Sequence, residues 1–269
     1  MELINTHTHT EYCGHGQGTI EELVAAADKA QVTTLAITEH YPLSQIFDPK
    51  AHLSMPWEQL EEYCNTVIAI RKRYPHIEII LGCEFDWLGS YEDRSISQLD
   101  LSRFDCVLGS THFIDGWALD DPAMKVKWEQ LGADVIWKRY FEIWCEAVLS
   151  DKPFTVMAHP DLPKKFNQYP SYDLAPLYAQ AVEAVYESGR MVEVNTSGAY
   201  YACREMYPSQ AFLTELCRAH VPCTIGTDAH HPDNVTRGLA EGYRLMYESG
   251  YREVTVPTIG GDRRNITIE

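Results

Sequence analysis

Seven short, mainly apolar runs recur along the chain: Leu3–Asn5, Thr34–Thr38, Ile77–Cys83, Cys106–Ser110, Phe154–Ala158, Val192–Asn195 and Thr224–Gly226. Most are apolar at consecutive rather than alternate positions, the pattern of strands buried on both faces. Between them, apolar residues at i, i+3 and i+4 spacing predict helices over Ile20–Ala30, Trp57–Arg73, Asp134–Leu149, Leu174–Glu187, Ser209–Ala219 and Val235–Ser249. The first helix starts after Thr19, with Glu21 and Glu22 placed where a helix dipole favours negative charge. The second is bracketed by Pro56 and Pro75.

About seven strand–helix repeats argue for parallel strands with helices packed outside them. A closed or nearly closed (β/α) barrel is the favoured α/β arrangement, and an open doubly wound sheet ranks second. No Gly-rich phosphate loop or G-x-S-x-G elbow is present to favour the open sheet. The longest irregular segments are Tyr41–Met55, Trp87–Phe104, His112–Gly132 and Pro160–Tyr172. All four follow predicted strands, where barrel enzymes carry their active-site loops. With no internal repeat, low-complexity stretch or linker, residues 1–269 read as one catalytic domain.

Composition narrows the partners. The chain has 269 residues, 45% hydrophobic and 23% charged, enough for the core of one barrel-sized domain. Its formal charge of -17 repels a phosphate backbone and counts against nucleic acid as a partner. A small anionic substrate stays open, because a metal cluster would dominate the field inside a pocket. No apolar run reaches the roughly 18 residues of a membrane helix. The strand expected over Glu2–Asn5 leaves no room for a signal peptide, and the eight cysteines contain no C-x-x-C pair. A cytoplasmic protein with reduced thiols is the expectation.

Nine potential metal ligands cluster just after these strands: His7, His9, His15, His40, Glu84, His112, His159, Asp228 and His230. Imidazoles and carboxylates are the ligands that Zn²⁺, Mn²⁺ and Fe accept in catalytic sites. In N-T-H-T-H-T, period-two geometry sends His7 and His9 to the same side, where they can share an ion. Taken alone, an H-x-H pair is a weak signal, and a lone His40 reads more simply as a capping or core residue. Glu39 beside it suits a ligand or a partner that orients an imidazole. Glu84, after IEIILGC, is costly to bury unless paired or metal-bound, and its two oxygens suit a bridge between two ions. Nine such residues at six of seven strand ends point to a multinuclear centre. Cys13 lies among them but is not needed to complete the set.

Basic residues near the same rim are few. Lys164, Lys165, Arg204, Arg237 and the Arg263–Arg264 pair are the candidates for contacting substrate, each weighed against a plain solvated charge.

In order, H-x-H, T-E-H, G-x-E, G-S-x-H, A-H-P-D and G-T-D-A-H resemble the polymerase and histidinol phosphatase (PHP) superfamily, from Asn5 to His230. GSTHFIDGW, HPDLPKKF and EVNTSG look most like its stand-alone histidinol-phosphatase branch. The resemblance implies a distorted (β/α)₇ barrel with two or three divalent ions (Zn, Mn or Fe) at the C-terminal strand ends. It implies one ion on His7, His9, Glu84 and Asp228, a second on Glu84, His112 and His159, and a third on His15, His40 and His230. One position departs: a basic residue often follows NTSG by two in that branch, and here Tyr200 stands there.

The function implied is hydrolysis of a small phosphate monoester, with L-histidinol phosphate, from histidine biosynthesis, as first candidate. Metal ions there would supply a water nucleophile near neutral pH and neutralise the phosphoryl oxygens. Asp161, two residues past His159, is the candidate proton donor to the leaving alcohol, with loop capping as its plain alternative. Rival readings are a related phosphoesterase acting on a nucleotide, oligonucleotide or phosphotyrosyl protein, an amidohydrolase-like C–N hydrolase, and a non-catalytic metal-binding module.

Overall fold

The computed structural model describes residues 2–91 and 100–268; residues 92–99, within the expected loop Trp87–Phe104, lie outside the described residues. In chain order the strands are β1 (Leu3–Asn5), β2 (Val32–Ile37), β3 (Glu78–Asp86), β4 (Cys106–Ser110), a short hairpin β5 (Phe113–Ile114) and β6 (Trp117–Ala118), β7 (Val156–Met157), β8 (Met191–Asn195), β9 (Cys223–Gly226), and a second hairpin β10 (Glu253–Pro257) and β11 (Arg263–Thr267). The helices are α1 (Ile20–Lys29), α2 (Leu60–Ile70), α3 (Lys125–Leu131), α4 (Ala133–Leu149), α5 (Ala175–Ser188), α6 (Gln210–Arg218) and α7 (Leu239–Glu248).

Seven parallel strands form one sheet in the order β1-β2-β3-β4-β7-β8-β9. In β3, Ile79, Leu81, Cys83 and Phe85 pack with the helix-covered core. Ile80 instead meets Ala36, Cys106, Leu108, Val156, Ala158 and Met191 in a separate interior cluster. Apolar contacts on both faces explain the continuous apolar runs. The same alternation carries Glu84 and Asp86 to the interior side at the C-terminal end of β3.

The barrel closes beyond the regular strands. Thr6 N donates to Ile225 O at 3.0 Å, Asp228 N to His7 O at 2.9 Å and His9 N to Ala229 O at 2.8 Å. The H-x-H and D-x-H segments are therefore hydrogen-bonded to each other, so the seam of the barrel is also the floor of the ligand cluster. The result is a near-closed, seven-stranded parallel barrel with its histidines and carboxylates at one rim.

Local signals behave as the pattern requires. The Thr19 hydroxyl accepts from Glu22 N, and the Glu22 carboxylate accepts from Thr19 N at 2.8 Å, a reciprocal cap for α1. Three elements differ from the sequence reading. Hairpin β5–β6 and helix α3 lie inside the segment expected to be irregular, His112–Gly132. Asp115 and Gly116, both at positive φ, make the hairpin turn, and D-G between apolar residues is its sequence signal. Hairpin β10–β11 lies beyond the last helix that the apolar pattern predicts; Val254, Val256, Ile266 and Ile268 pack beside Ile225 of β9 and Tyr243 of α7. That hairpin also corrects the reading of Arg264 as a substrate contact. Arg264 reaches Glu2 at 3.1 Å, Thr34 at 2.8 Å and Glu78 at 3.3 Å, all at the N-terminal end of the barrel. Arg263 donates to Gly189 O.

Candidate metal centre

Each strand end delivers its ligands to one place. His7 Nε2 lies 3.0 Å from His9 Nε2, and each lies 3.2 Å from Glu84 Oε2. Asp228 Oδ1 is 3.6 Å from the first imidazole and 3.3 Å from the second. Ligand atoms ~2.05 Å from a tetrahedral ion stand ~3.3 Å apart, so His7, His9 and Glu84 have the spacing of three ligands to one ion, with Asp228 beside the two imidazoles. On the other oxygen of Glu84, His159 Nε2 stands at 2.9 Å and His112 Nε2 at 3.6 Å. His15 Nε2 and His230 Nε2 are 3.0 Å apart and form a third group with His40. His40 also faces Glu84 Oε2, at 3.1 Å through Nδ1, and so lies between the groups. All nine candidate ligands meet, with Glu84 shared as its two oxygens allow. Cys13 Sγ is held by Thr10 O and Gly16 N, although its sulfur lies close enough to His9 and His230 to group with them.

Outer hydrogen bonds orient the imidazoles. His7 Nδ1 meets Glu193 Oε1 at 2.9 Å, and His112 Nδ1 meets Asp86 Oδ1 at 2.8 Å. His15 Nδ1 meets the carbonyl of His52 and His230 Nδ1 that of Asp228, both at 3.0 Å. A proton on Nδ1 leaves the Nε2 lone pair free and aimed into the cluster. Lone pairs facing each other at these distances repel unless a cation lies among them, so the donor set fits divalent ions. His159 and Asp228 have positive φ, 28° and 53°, a backbone conformation that non-glycine residues adopt at a cost.

The fields agree with this. Burial opposes charge on His7, but Glu193, Asp228 and Glu84 outweigh it and push its pKa up to about 10. His112 is likewise pushed up to about 10, as Asp86 and Glu84 overcome its burial. Burial raises the cost of a charged Glu84, yet His40, His7 and His112 hold it well below the usual carboxylate range. His230, desolvated by its partly buried position and next to His9, is depressed to about 3. The carboxylates thus draw protons onto imidazoles in the ion-free protein, and metal ions would displace those protons.

A cavity of about 550 Å³ opens over the cluster. His15, His40, Glu84, His112, Asp228 and His230 line it, together with Leu43, Leu53 and Phe113. Of the candidate substrate contacts, Lys165 and Arg237 line this cavity. Lys164 and Arg204 do not. The Lys164 ammonium is fully buried, bonded to Asp161 at 2.9 Å and to Met206 O at 2.7 Å, so it has no free face for a ligand. Arg204 sits exposed at φ 54° in the turn after Tyr201, outside the cavity wall. Asp161, read as a proton donor, is also fully buried and away from the cavity. Burial pushes its carboxyl up against the pull of Lys164, and it accepts from Ser209 N at 2.8 Å. That bond ties this loop to the start of α6.

Four polar residues of the site were not singled out from sequence. Glu193 is a lone carboxylate in the middle of M-V-E-V-N, and Asp86 lies two residues past Glu84; both are period-two signals. Ser110 donates to Glu84 Oε1 at 2.5 Å, and Asp120 pairs with Lys165 at 2.8 Å. Their sequence signals are weak, because a serine and a loop aspartate are common anywhere.

A parallel barrel with clustered imidazoles and carboxylates at its C-terminal rim defines a metal-dependent hydrolase architecture. The profile of the PHP domain matches residues 5–197, and this chain belongs to that family. The "Probable histidinol-phosphatase" of Deinococcus radiodurans is 30% identical over 94% of this chain and 96% of its own length. A candidate histidinol phosphatase from Listeria monocytogenes superposes with a TM-score of 0.80 and 25% identity, covering 88% of this chain and 99% of that one. The histidinol phosphate phosphatase of Lactococcus lactis, solved with zinc, L-histidinol and phosphate, gives the same TM-score at 18% identity, over 98% of this chain and 99% of that one, and shows the shared fold. No helix among the described residues is long and apolar enough to cross a membrane.

Proposed function

We propose that this chain is a metal-dependent phosphatase that hydrolyses a small phosphate monoester, L-histidinol phosphate, to L-histidinol and phosphate. The observation that carries the reading is the sharing of Glu84 between two groups of ligands beside a third, all under one cavity. The Deinococcus relative's name supports the substrate. His7, His9, Glu84 and Asp228 would hold one divalent ion, Glu84, His112 and His159 a second, and His15, His40 and His230 a third. When bound, such ions acidify water and neutralise phosphoryl oxygens. The chain's own residues prepare that chemistry. Glu193 and Asp86 fix the tautomers of His7 and His112, and Lys165 brings a positive charge to the cavity wall.

The test is phosphate release by protein of known metal content, across metabolite monoesters that include histidinol phosphate, nucleotides and a phosphotyrosyl peptide, beside a set of amides. Histidinol phosphate is expected to give the highest kcat/KM. A higher value with another ester reassigns the substrate, and amide cleavage without phosphate release overturns the phosphatase reading.

A further inference from the structure

Among the described residues, Lys165 and Arg237 are the lysine and arginine that line the cavity, and they are held differently. Lys165 is already paired: its ammonium lies 2.8 Å from Asp120, above the ring of Tyr201 at 4.6 Å. Arg237 has no such carboxylate. The Cζ of its guanidinium lies over the ring of Tyr200, 3.4 Å from the centroid, and among the described residues its side chain takes part in no ion pair and donates no hydrogen bond. This is notable in a cavity whose wall includes Asp120, Asp121 and Asp228. A guanidinium stacked on an aromatic face is held by its plane, and its in-plane N–H groups stay available at the edge.

The backbone around Arg237 is set in place from two sides. Thr196 Oγ1 donates to Arg237 O at 2.6 Å, joining the turn after β8 to the turn after β9. Arg237 N donates to Asn234 O at 2.9 Å. Gly238 follows at φ 78°, and a Cβ there would stand 3.2 Å from the Tyr200 hydroxyl and 3.1 Å from Thr196 Cβ. Glycine is required for the turn and for the close approach of the ring. The ring and the guanidinium are thus brought together by two separate loops.

We propose that Arg237 is the phosphate-gripping residue of this cavity and that Tyr200 is the positioning residue that holds its guanidinium in place over the ring. The inference rests on the phosphatase reading and deepens it. A planar fork of N–H donors matches two phosphoryl oxygens, which the metal ligands, being acceptors, do not bind. Stacking on Tyr200 keeps Arg237 from collapsing onto the neighbouring carboxylates, so the fork is available when the ester arrives.

The experiment uses the metal-loaded protein with two readouts: binding of inorganic phosphate by calorimetry, and steady-state hydrolysis of a phosphate ester. Arg237→Ala should weaken phosphate binding and raise KM by about ten- to a hundredfold, the loss of hydrogen bonds to a charged group, with a smaller change in kcat and unchanged metal content. Tyr200→Leu should weaken both by about two- to fivefold, the value of a cation–π contact, whereas Tyr200→Phe, which keeps the ring, should match the wild type. Unchanged phosphate binding in Arg237→Ala at wild-type metal content overturns the proposal, as does a fall in kcat alone. If Arg237→Ala does not fold, the Tyr200 pair decides: equal phosphate binding by the Leu and Phe variants refutes the positioning role. A wild-type protein that binds phosphate through Arg237 yet cleaves no ester would overturn the phosphatase reading and leave this one standing.

Discussion

Glu193 offers the sharpest test of how the metal centre is built, because it is buried and sits behind the ligands rather than among them. Its carboxylate serves three donors: His7 Nδ1 at 2.9 Å, His159 N at 3.1 Å and Asn195 Nδ2 at 3.1 Å. A carboxylate accepts all three, whereas the glutamine amide has one acceptor oxygen and an NH₂ that must face a donor. Glu193→Gln therefore keeps the shape, loses at least one charge-assisted bond and removes the charge that favours a basic His7. The bond is worth roughly 1.5–3 kcal/mol, and loss of such a supporting partner typically weakens metal affinity about 10–100-fold. The assay is competition against a chromogenic chelator, with metal content by mass spectrometry and cooperative unfolding as a control for folding. Excess metal should restore activity close to the wild-type plateau, because no ligand has been removed. Wild-type metal affinity in a folded Glu193→Gln protein would refute the idea that this carboxylate organises His7. Lost activity that excess metal does not restore would instead assign Glu193 a different role.

Glu84→Ala removes the residue shared by two ligand groups, so metal content should fall and hydrolysis be abolished while unfolding stays cooperative; wild-type turnover would exclude the bridging assignment. Gly226→Ala would place a Cβ 2.3 Å from Glu193 Oε1 and 2.5 Å from His7 Cβ. Such overpacking should cost about 1–3 kcal/mol of stability, read as a lower Tm together with weaker metal retention. Metal loading should also release protons. His7 and His112, raised to about 10 in the ion-free protein, hold protons at neutral pH, and an ion needs their neutral form. Metal affinity should therefore rise with pH below about 10, and binding enthalpies in two buffers of different ionisation heat should differ. Equal enthalpies would show that no proton is displaced.

Much of the barrel, and the gathering of all nine candidate ligands at one rim, were legible in the linear sequence, for one physical reason. A strand buried on both faces reads as an apolar run, and a titratable residue just after it breaks that run visibly, as at His40, His112 and His159. Period-two geometry alone pairs His7 with His9, and it also reaches Asp86, which hydrogen-bonds His112. What sequence could not decide was which neighbours those side chains meet. Lys164 and Lys165 are adjacent in the chain, yet one is sealed against Asp161 and the other faces the cavity, because the short helical turn that carries them points them in different directions. Sequence favours Arg204, four residues past Tyr200, over Arg237 as the phosphate contact, and only the contact between the loops after β8 and β9 seats Arg237 on Tyr200. Strand-end chemistry is a local property, set by burial and alternation. Which cation is neutralised and which is left available depends on distances between residues far apart in sequence, and the tertiary structure alone decides it.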